Sequence, residues 1–486
     1  MNLESDRLVF CGSTPVAGYH VQDSICYPEL PEWALPTTSL GVFRSLLIQA
    51  RLDHRNQGSS RWNPLRDLIA EGQKVVIKPN WVHHHNGSGA GIESLVTHTS
   101  LLEAIIHYIA KVHPVSLVLG DAPIQGCDFA ALMAAANVPE MVGRFSNAGV
   151  SMAVKDFRRT IRASGDLNMP SCEECRPLDD FILYDLGSSS SLEEITTSRS
   201  EFRVTMYNPE SLKRTHGPGK HQYLVARDVI ESDVIINVPK LKTHKKACIT
   251  GALKNLVGIN GHKEYLPHHR KGGSQSGGDC YPGGSYFKNL MEDLLDATNR
   301  AQTATSRWLL ANAVRAGLAV GKVLNLDNDY EGSWCGNDTV WRMALDLQRI
   351  VRYGRPDGTL ADSPQRTILS ITDGIVAGEG EGPLSPTPVR LGIITLGTNT
   401  AAVEWVNAIL MGLLPDKIPL TREAFECHRY PLAEFTPKDI SVFANGTPVK
   451  TNDLFTRHGR AFRLPKGWQG PSSPAVRTTD ILASAA

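Results

Sequence analysis

Between residues 240 and 271 the chain concentrates cations and imidazoles. Lys240, Lys242, His244, Lys245 and Lys246 follow the apolar run VIINVP (234–239). Lys254 and Asn255 come next in a short helical pattern, then His262, Lys263, His268, His269, Arg270 and Lys271. Lys213 to Lys271 holds 12 Lys/Arg against 4 Asp/Glu, in a chain whose 50 basic and 50 acidic residues cancel overall. Neutrality over the whole chain argues against general nucleic-acid or membrane-surface binding, which needs a broad basic field. A local excess of this kind suits a small anionic metabolite, phosphorylated or carboxylated.

If the chain stays extended after Pro239, Lys240 and Lys242 face one side and Leu241 the other. Lysine is a compact point charge suited to phosphate or carboxylate, so these lysines are expected to contact the substrate anion and not a metal. The helix after Thr250 exposes N–H groups at its start, which favour an anion, with Lys254 and Asn255 one turn in. Lys78, Asn80, His262 and Lys263 complete the expected binding set. His244 titrates in the range of a general acid or base, and Lys242 and Asp373 are its expected catalytic companions.

Ten of the sixteen histidines fall in 83–98 and 216–269. His/carboxylate sets drawn from several loops bind divalent metals, and Asp121, Glu379, Glu381 and His84 are the candidate ligands. There is no HExxH signature, no GxxxxGK[ST] loop and no GxGxxG after a strand, so no nucleotide cofactor is expected. The nine cysteines are scattered, with Cys172 and Cys175 the one CxxC pair. No ferredoxin-type run exists, so an iron–sulfur cluster is not expected. Cysteine usage fits a reducing compartment. The start MNLESDRLVF lacks a signal-peptide pattern, no apolar run reaches the length of a membrane span, and a cytoplasmic protein is expected.

These residues need elements to position them. KVVIKPN (74–80), VSLVLGDAP (115–123), DVIINVPKL (233–241) and RTILSITDGI (366–375) read as buried strands, each ending in polar, loop-forming residues. In parallel α/β sheets ligands bind beyond the carboxyl ends of the strands. Helical patterns run over 40–50, 101–112, 130–136, 250–258, 286–321, 341–352 and 400–413. VRLGIITLG (389–397) is a further strand, and ISVFANG (440–446) a late strand or hairpin. Residues 376–383 read as a Gly-rich turn, and 271–285 as a flexible glycine-rich loop able to act as a lid. The expected organisation is an N-terminal arm (1–65), a first α/β lobe (66–325) with inserted loops at 160–225 and 260–285, a second lobe (326–465) and a disordered tail (466–486). The fold class is α/β: parallel or mixed sheets flanked by helices, in two lobes with a cleft between them.

KPN after the first strand, GDAP after the second, then NVPKLKTH, TGALKNLVG, GNDTVWRMALDLQRI and DGIVAGEGEGP resemble the DUF362 family over roughly 74–415. The resemblance implies an α/β fold distantly related to lactate-racemase-like proteins. Many members carry a ferredoxin-like iron–sulfur module whose cysteine pattern this chain lacks, and relatives usually have Asp where Glu404 stands. The expected function is a metal-assisted enzyme on a small anionic metabolite, by proton transfer (isomerase or lyase) or hydrolysis. The alternatives are an iron–sulfur redox protein and a non-catalytic binding module for such a metabolite.

Overall fold

A computed structural model describes residues 5–14, 18–19, 38–161, 173–198, 201–323, 331–470 and 472–475. Eleven strands form one central sheet: β1 (Leu8–Ser13), β2 (Lys74–Pro79), β3 (Ser116–Asp121), β4 (Ala153–Asp156), β5 (Val234–Val238), β6 (Lys240–His244), β7 (Cys248–Thr250), β8 (Thr367–Glu381), β9 (Ser385–Gly397), β10 (Ser441–Ala444) and β11 (Thr447–Val449). Their order is β11-β10-β1-β9-β8-β5-β2-β3-β4, with β6 and β7 branching from β8. The run β8-β5-β2-β3-β4 is parallel, as its near-continuous apolar strands predict for a sheet covered on both faces.

Alternation along the strands divides the core. Val76 and Ile235 join the cluster containing Leu253, Trp341 and Val351. Their neighbours Val75, Ile77, Val234 and Ile236 join the cluster containing Phe43 and Leu101–Ile109. Helices Ser39–Gln49 and Thr99–Ala110 cover the second face; Val340–Tyr353 covers the first.

The two expected lobes share this sheet, because β8 of the second half pairs with β5 and β6 of the first. The expected N-terminal arm also contributes to it: β1 lies between β9 and β10. LVFCGS was too short to separate from its irregular flanks. Residues 376–381, expected as a turn, continue β8, which pairs with β9 out to Glu381–Ser385. The glycines there serve close packing. A Cβ on Gly378 would lie 2.9 Å from Lys242 Cβ, and Gly380 has φ +79°, a left-handed value that favours glycine. Within the inserted segment 160–225, Phe181–Asp185, His216–Gly217 and Lys220–Ala226 form a small sheet. Residues 271–285 are tied down: Cys280 N donates to Gly272 O at 3.0 Å, Ser274 N donates to Tyr281 O at 3.0 Å, and Cys280 and Tyr281 are buried. Part of the expected tail is packed too, with Trp468 buried and its Nε1 donating to Lys245 O at 2.7 Å. Cys172 and residues 476–486 lie outside the described residues.

Candidate functional site

The four sequence-predicted strand ends lie at one edge of the sheet. Val238 is in register with Pro79, and Lys240 with Asp373. Lys78 stands next to last in β2 with its ammonium 2.7 Å from Asp121 Oδ1, and both side chains are buried. Asp121 also accepts from Trp81 N (2.6 Å) and Ala122 N (2.7 Å). Burial pushes the Lys78 ammonium down and the Asp121 carboxyl up, each offset by the other's charge. With two backbone donors on the carboxylate as well, the ionised pair is the favoured state. Asn255 ties this pair to the middle of the sheet: its Nδ2 donates to Lys78 O (3.0 Å) and Asn237 Oδ1 (2.8 Å), and its Oδ1 accepts from Asn80 Nδ2 (3.1 Å). Gly258 presses on the same pair, where a Cβ would lie 2.0 Å from Asp121 Oδ1.

A second buried pair joins β6 to β8. Lys240 Nζ donates to Asp373 Oδ2 at 2.7 Å and to Tyr19 OH at 2.6 Å, and Tyr19 OH donates to Asp373 Oδ1. His98 stacks on Tyr19 at 3.7 Å and its backbone N–H donates to Asp373 Oδ2 at 3.0 Å. Asp373, expected in catalysis, and Lys240, expected on the substrate, therefore hold each other. Both oxygens of the buried Asp373 carboxylate are thus occupied by donors from this chain.

The other basic residues are differently placed. Lys242 is buried and, among the described residues, donates to a single carbonyl, Leu95 O; burial, then Lys240, pushes its ammonium well down. The β6–β7 hairpin fixes His244, whose Nδ1 accepts from Lys246 N (3.0 Å) and Ala247 N (3.2 Å). Two backbone donors on Nδ1 put the ring hydrogen on Nε2, which has no partner among the described residues. Burial, then Lys254 and Lys246, holds His244 neutral well below the usual imidazole range. Lys254 has no side-chain hydrogen bond among the described residues. Burial, and after it the cations Lys263, Lys246 and Lys78, lower it to about 7. Lys263 donates to Ala122 O at 2.9 Å and is lowered by burial to about 8. His268 joins the group, pushed down by burial and then by Lys246 and Lys254. Lys242, His244, Lys246, Lys254, Lys263 and His268 thus form a cluster of basic groups beyond the strand ends. His262 is turned elsewhere, with Tyr265 at 5.0 Å between ring centroids and Glu264 at 3.9 Å.

The helix start expected to hold an anion is already capped from inside. Glu404, on helix Thr400–Leu410, accepts from Ala252 N at 2.5 Å, and Leu253 and Lys254 N–H groups also lower its carboxyl. Burial outweighs these donors and raises Glu404 to about 8. Gly251 makes the approach possible, since a Cβ there would lie 2.0 Å from Glu404 Oε2. A ligand anion must therefore meet the lysine and imidazole side chains, not this helix end.

The four expected metal ligands do not converge. Asp121 is paired with Lys78. Glu379 accepts from Arg463 N (2.8 Å), and Glu381 accepts from Lys466 N (2.9 Å) while pairing with Lys245 at 3.1 Å. His84 Nδ1 accepts from Asp128 N at 3.0 Å. Each carboxylate instead anchors a later segment or a strand end.

The roles of Lys246, His268, Glu404 and Tyr19 were not expected. The first two stand inside the basic run, and Glu404 was visible only as a departure from the family pattern. Nothing in the sequence marks Tyr19. A cavity of about 1280 Å³, lined by Trp62, Lys111, Ser116 and Ala153 among others, lies where β3 and β4 begin. It is thus at the end of the sheet opposite the basic cluster and touches none of its residues.

Residues 189–408 match the family model DUF362, a domain of unknown function. No curated protein matches the chain. A structural-genomics crystal structure of a Thermotoga maritima protein aligns at 9% identity and a TM-score of 0.30, covering 74% of this chain and 56% of that one. The present chain therefore spans little more than half of that protein.

Proposed function

We propose that this chain, which carries a DUF362 domain at residues 189–408, is an enzyme that binds a small phosphorylated or carboxylated metabolite at the basic cluster and moves a proton on it. The observation that carries the reading is Lys254. It is a half-buried ammonium whose close charges are cations, and its titration falls near neutrality. Such a group gains most when an anion arrives and is matched to proton transfer at physiological pH. Lys242, Lys246 and Lys263 supply the remaining positive charge. His244, neutral with hydrogen on Nε2, is the donor to a developing oxyanion or leaving group. The Lys78–Asp121 and Lys240–Asp373 pairs hold the strand ends beneath the cluster and do not react. Proton transfer is preferred to hydrolysis because the unliganded Lys254 titrates near neutrality and His244 is held neutral with an Nε2 hydrogen to give.

Two measurements test this. Calorimetry with sulfate should show saturable binding that Lys254→Met and Lys242→Met each weaken at least tenfold. Incubation with small carboxylates and sugar phosphates in D2O, followed by NMR, should reveal substrate-dependent C–H exchange that His244→Ala lowers by 10²–10⁴-fold. Sulfate binding without exchange on any such compound favours a non-catalytic binding module. Failure to bind sulfate at all removes the cluster from the function.

A further inference from the structure

Beside the basic cluster, three side chains far apart in sequence converge: His269, Cys280 and Glu292. All three are buried, and their ligand atoms lie within 4.8 Å of one another. None was expected to bind metal from the sequence, and no spacing motif joins them. We propose that they form a transition-metal site of the zinc type. This stands apart from the anion-binding cluster and does not depend on it.

The ligand chemistry selects the ion. A thiolate, an imidazole and a carboxylate form a set of N, S and O donors found around Zn²⁺. A sulfur ligand disfavours Mg²⁺ and Ca²⁺, which take oxygen shells. Zinc bonds of about 2.0–2.3 Å place tetrahedral ligands roughly 3.3–3.8 Å apart. His269 Nε2 and Glu292 Oε1 already stand 3.9 Å apart. Oε1 is buried, in a side chain 6% exposed, and has no hydrogen-bond partner among the described residues. A carboxylate oxygen kept from water and left without a donor is costly, and here it points at an imidazole nitrogen. The Cys280 side chain faces the same carboxylate.

The surroundings hold the three donors in place, as outer shells of metal sites do. Glu292 Oε2 accepts from Gly272 N at 3.0 Å, leaving Oε1 for the ion. Cys280 Sγ accepts from Glu331 N at 3.1 Å, a donor suited to a thiolate. Asp279 fixes the backbone next to Cys280 by accepting from Thr339 Oγ1 at 2.6 Å and Asp338 N at 2.9 Å. Gly332 packs over His269, where a Cβ would come within 2.9 Å of the histidine Cβ. On binding, Cys280 loses its thiol proton to solvent and coordinates as thiolate, His269 coordinates as neutral imidazole, and Glu292 as carboxylate. Three protein ligands leave a fourth position for water or substrate, the pattern of catalytic zinc sites.

The test uses the full chain, dialysed against chelator and titrated with Zn²⁺ against a chromogenic competitor, then with Co²⁺ as a spectroscopic probe. The expected result is one equivalent of Zn²⁺ bound at micromolar or tighter affinity. The Co²⁺ form should show the near-ultraviolet band of a cobalt–thiolate bond. Glu292→Gln should weaken Zn²⁺ at least tenfold, and Cys280→Ser should abolish the thiolate band. If Cys280→Ser fails to fold, the wild-type Co²⁺ spectrum and Glu292→Gln decide alone. No stoichiometric Zn²⁺, a Co²⁺ spectrum without thiolate character, or unchanged affinity in Glu292→Gln each overturns the proposal.

Discussion

Anion binding at Lys254 should be coupled to protons, with a size and sign that follow from the structure. Burial and three neighbouring cations bring the unliganded ammonium to about 7, against about 10.4 for an exposed lysine. A dianion within about 4–6 Å reverses part of that shift by 1–3 units; about 2 is taken here, which gives a bound value near 9. Binding raises the affinity for the proton, so it takes up protons. Affinity is greatest below pH 7 and falls as pH rises from 7 through 9. The total fall equals the shift, about 100-fold or 2.7 kcal/mol. At pH 8 the unliganded group is about 10% protonated and the bound group about 90%, so roughly 0.8 proton is taken up. At pH 6 the figure drops to about 0.1. Isothermal titration with sulfate, which does not titrate in this range, gives both quantities when run at constant ionic strength in buffers of different ionisation enthalpy. Lys254→Met isolates this residue from Lys263, which burial lowers to about 8. An affinity constant within twofold from pH 6.5 to 9, or the full slope persisting in Lys254→Met, would refute the reasoning.

The other predictions concern stability. Lys78→Met leaves Asp121 buried without its cation and should cost about 3–5 kcal/mol in urea unfolding, while Lys78→Met with Asp121→Leu should recover much of the loss; equal losses in both would show that the pair is not what matters. Lys242→Met removes a buried ammonium held by one carbonyl, so it should raise stability by about 0.5–2 kcal/mol while weakening sulfate; a less stable variant contradicts this. Glu404 titrates at about 8 when folded against 4.5 unfolded, so the folded chain holds the extra proton between those values. Stability should therefore decline as pH rises through that window, by several kcal/mol in all. Thermal melts of Glu404→Gln should show a flatter profile there, and an identical profile would remove Glu404 as the cause. Gly258→Ala drives a methyl group into the Lys78–Asp121 pair and should cost about 1–3 kcal/mol, whereas a neutral result would mean the pair can shift.

Much of this was legible because it is local. An apolar run followed by lysines marks a buried strand with a charged end, and β2, β3 and β5 lie where 74–80, 115–123 and 233–241 indicated. Register then brings the strand ends together without further information. What local pattern cannot give is the partner. Lys240 and Asp373 neutralise each other across 133 residues, and Glu404 caps a helix 152 residues away. Lys240 and Asp373 looked like ligand-facing groups until their pairing was known. Glycine misled in 376–381, where it signals turns by composition but serves close packing against Lys242. His269, Cys280 and Glu292 share no spacing because the short strand His269–Arg270, a bend and the helix Tyr286–Arg300 each supply one.

One edge of β8 is shared in succession by β5 and then β6, while β9 runs along the other. The chain therefore never leaves the sheet on passing Pro239, and Lys240, Lys242 and His244 stand on paired backbone. The part of the basic cluster that β6 carries, Lys242 and His244, cannot adjust its spacing to its guest. It should sort anions by length, favouring one charge separation over shorter and longer homologues. Its amides in β6 should exchange slowly with solvent and to the same extent with or without sulfate. Capture should then be a single rapid step, with selectivity expressed in how long each anion stays.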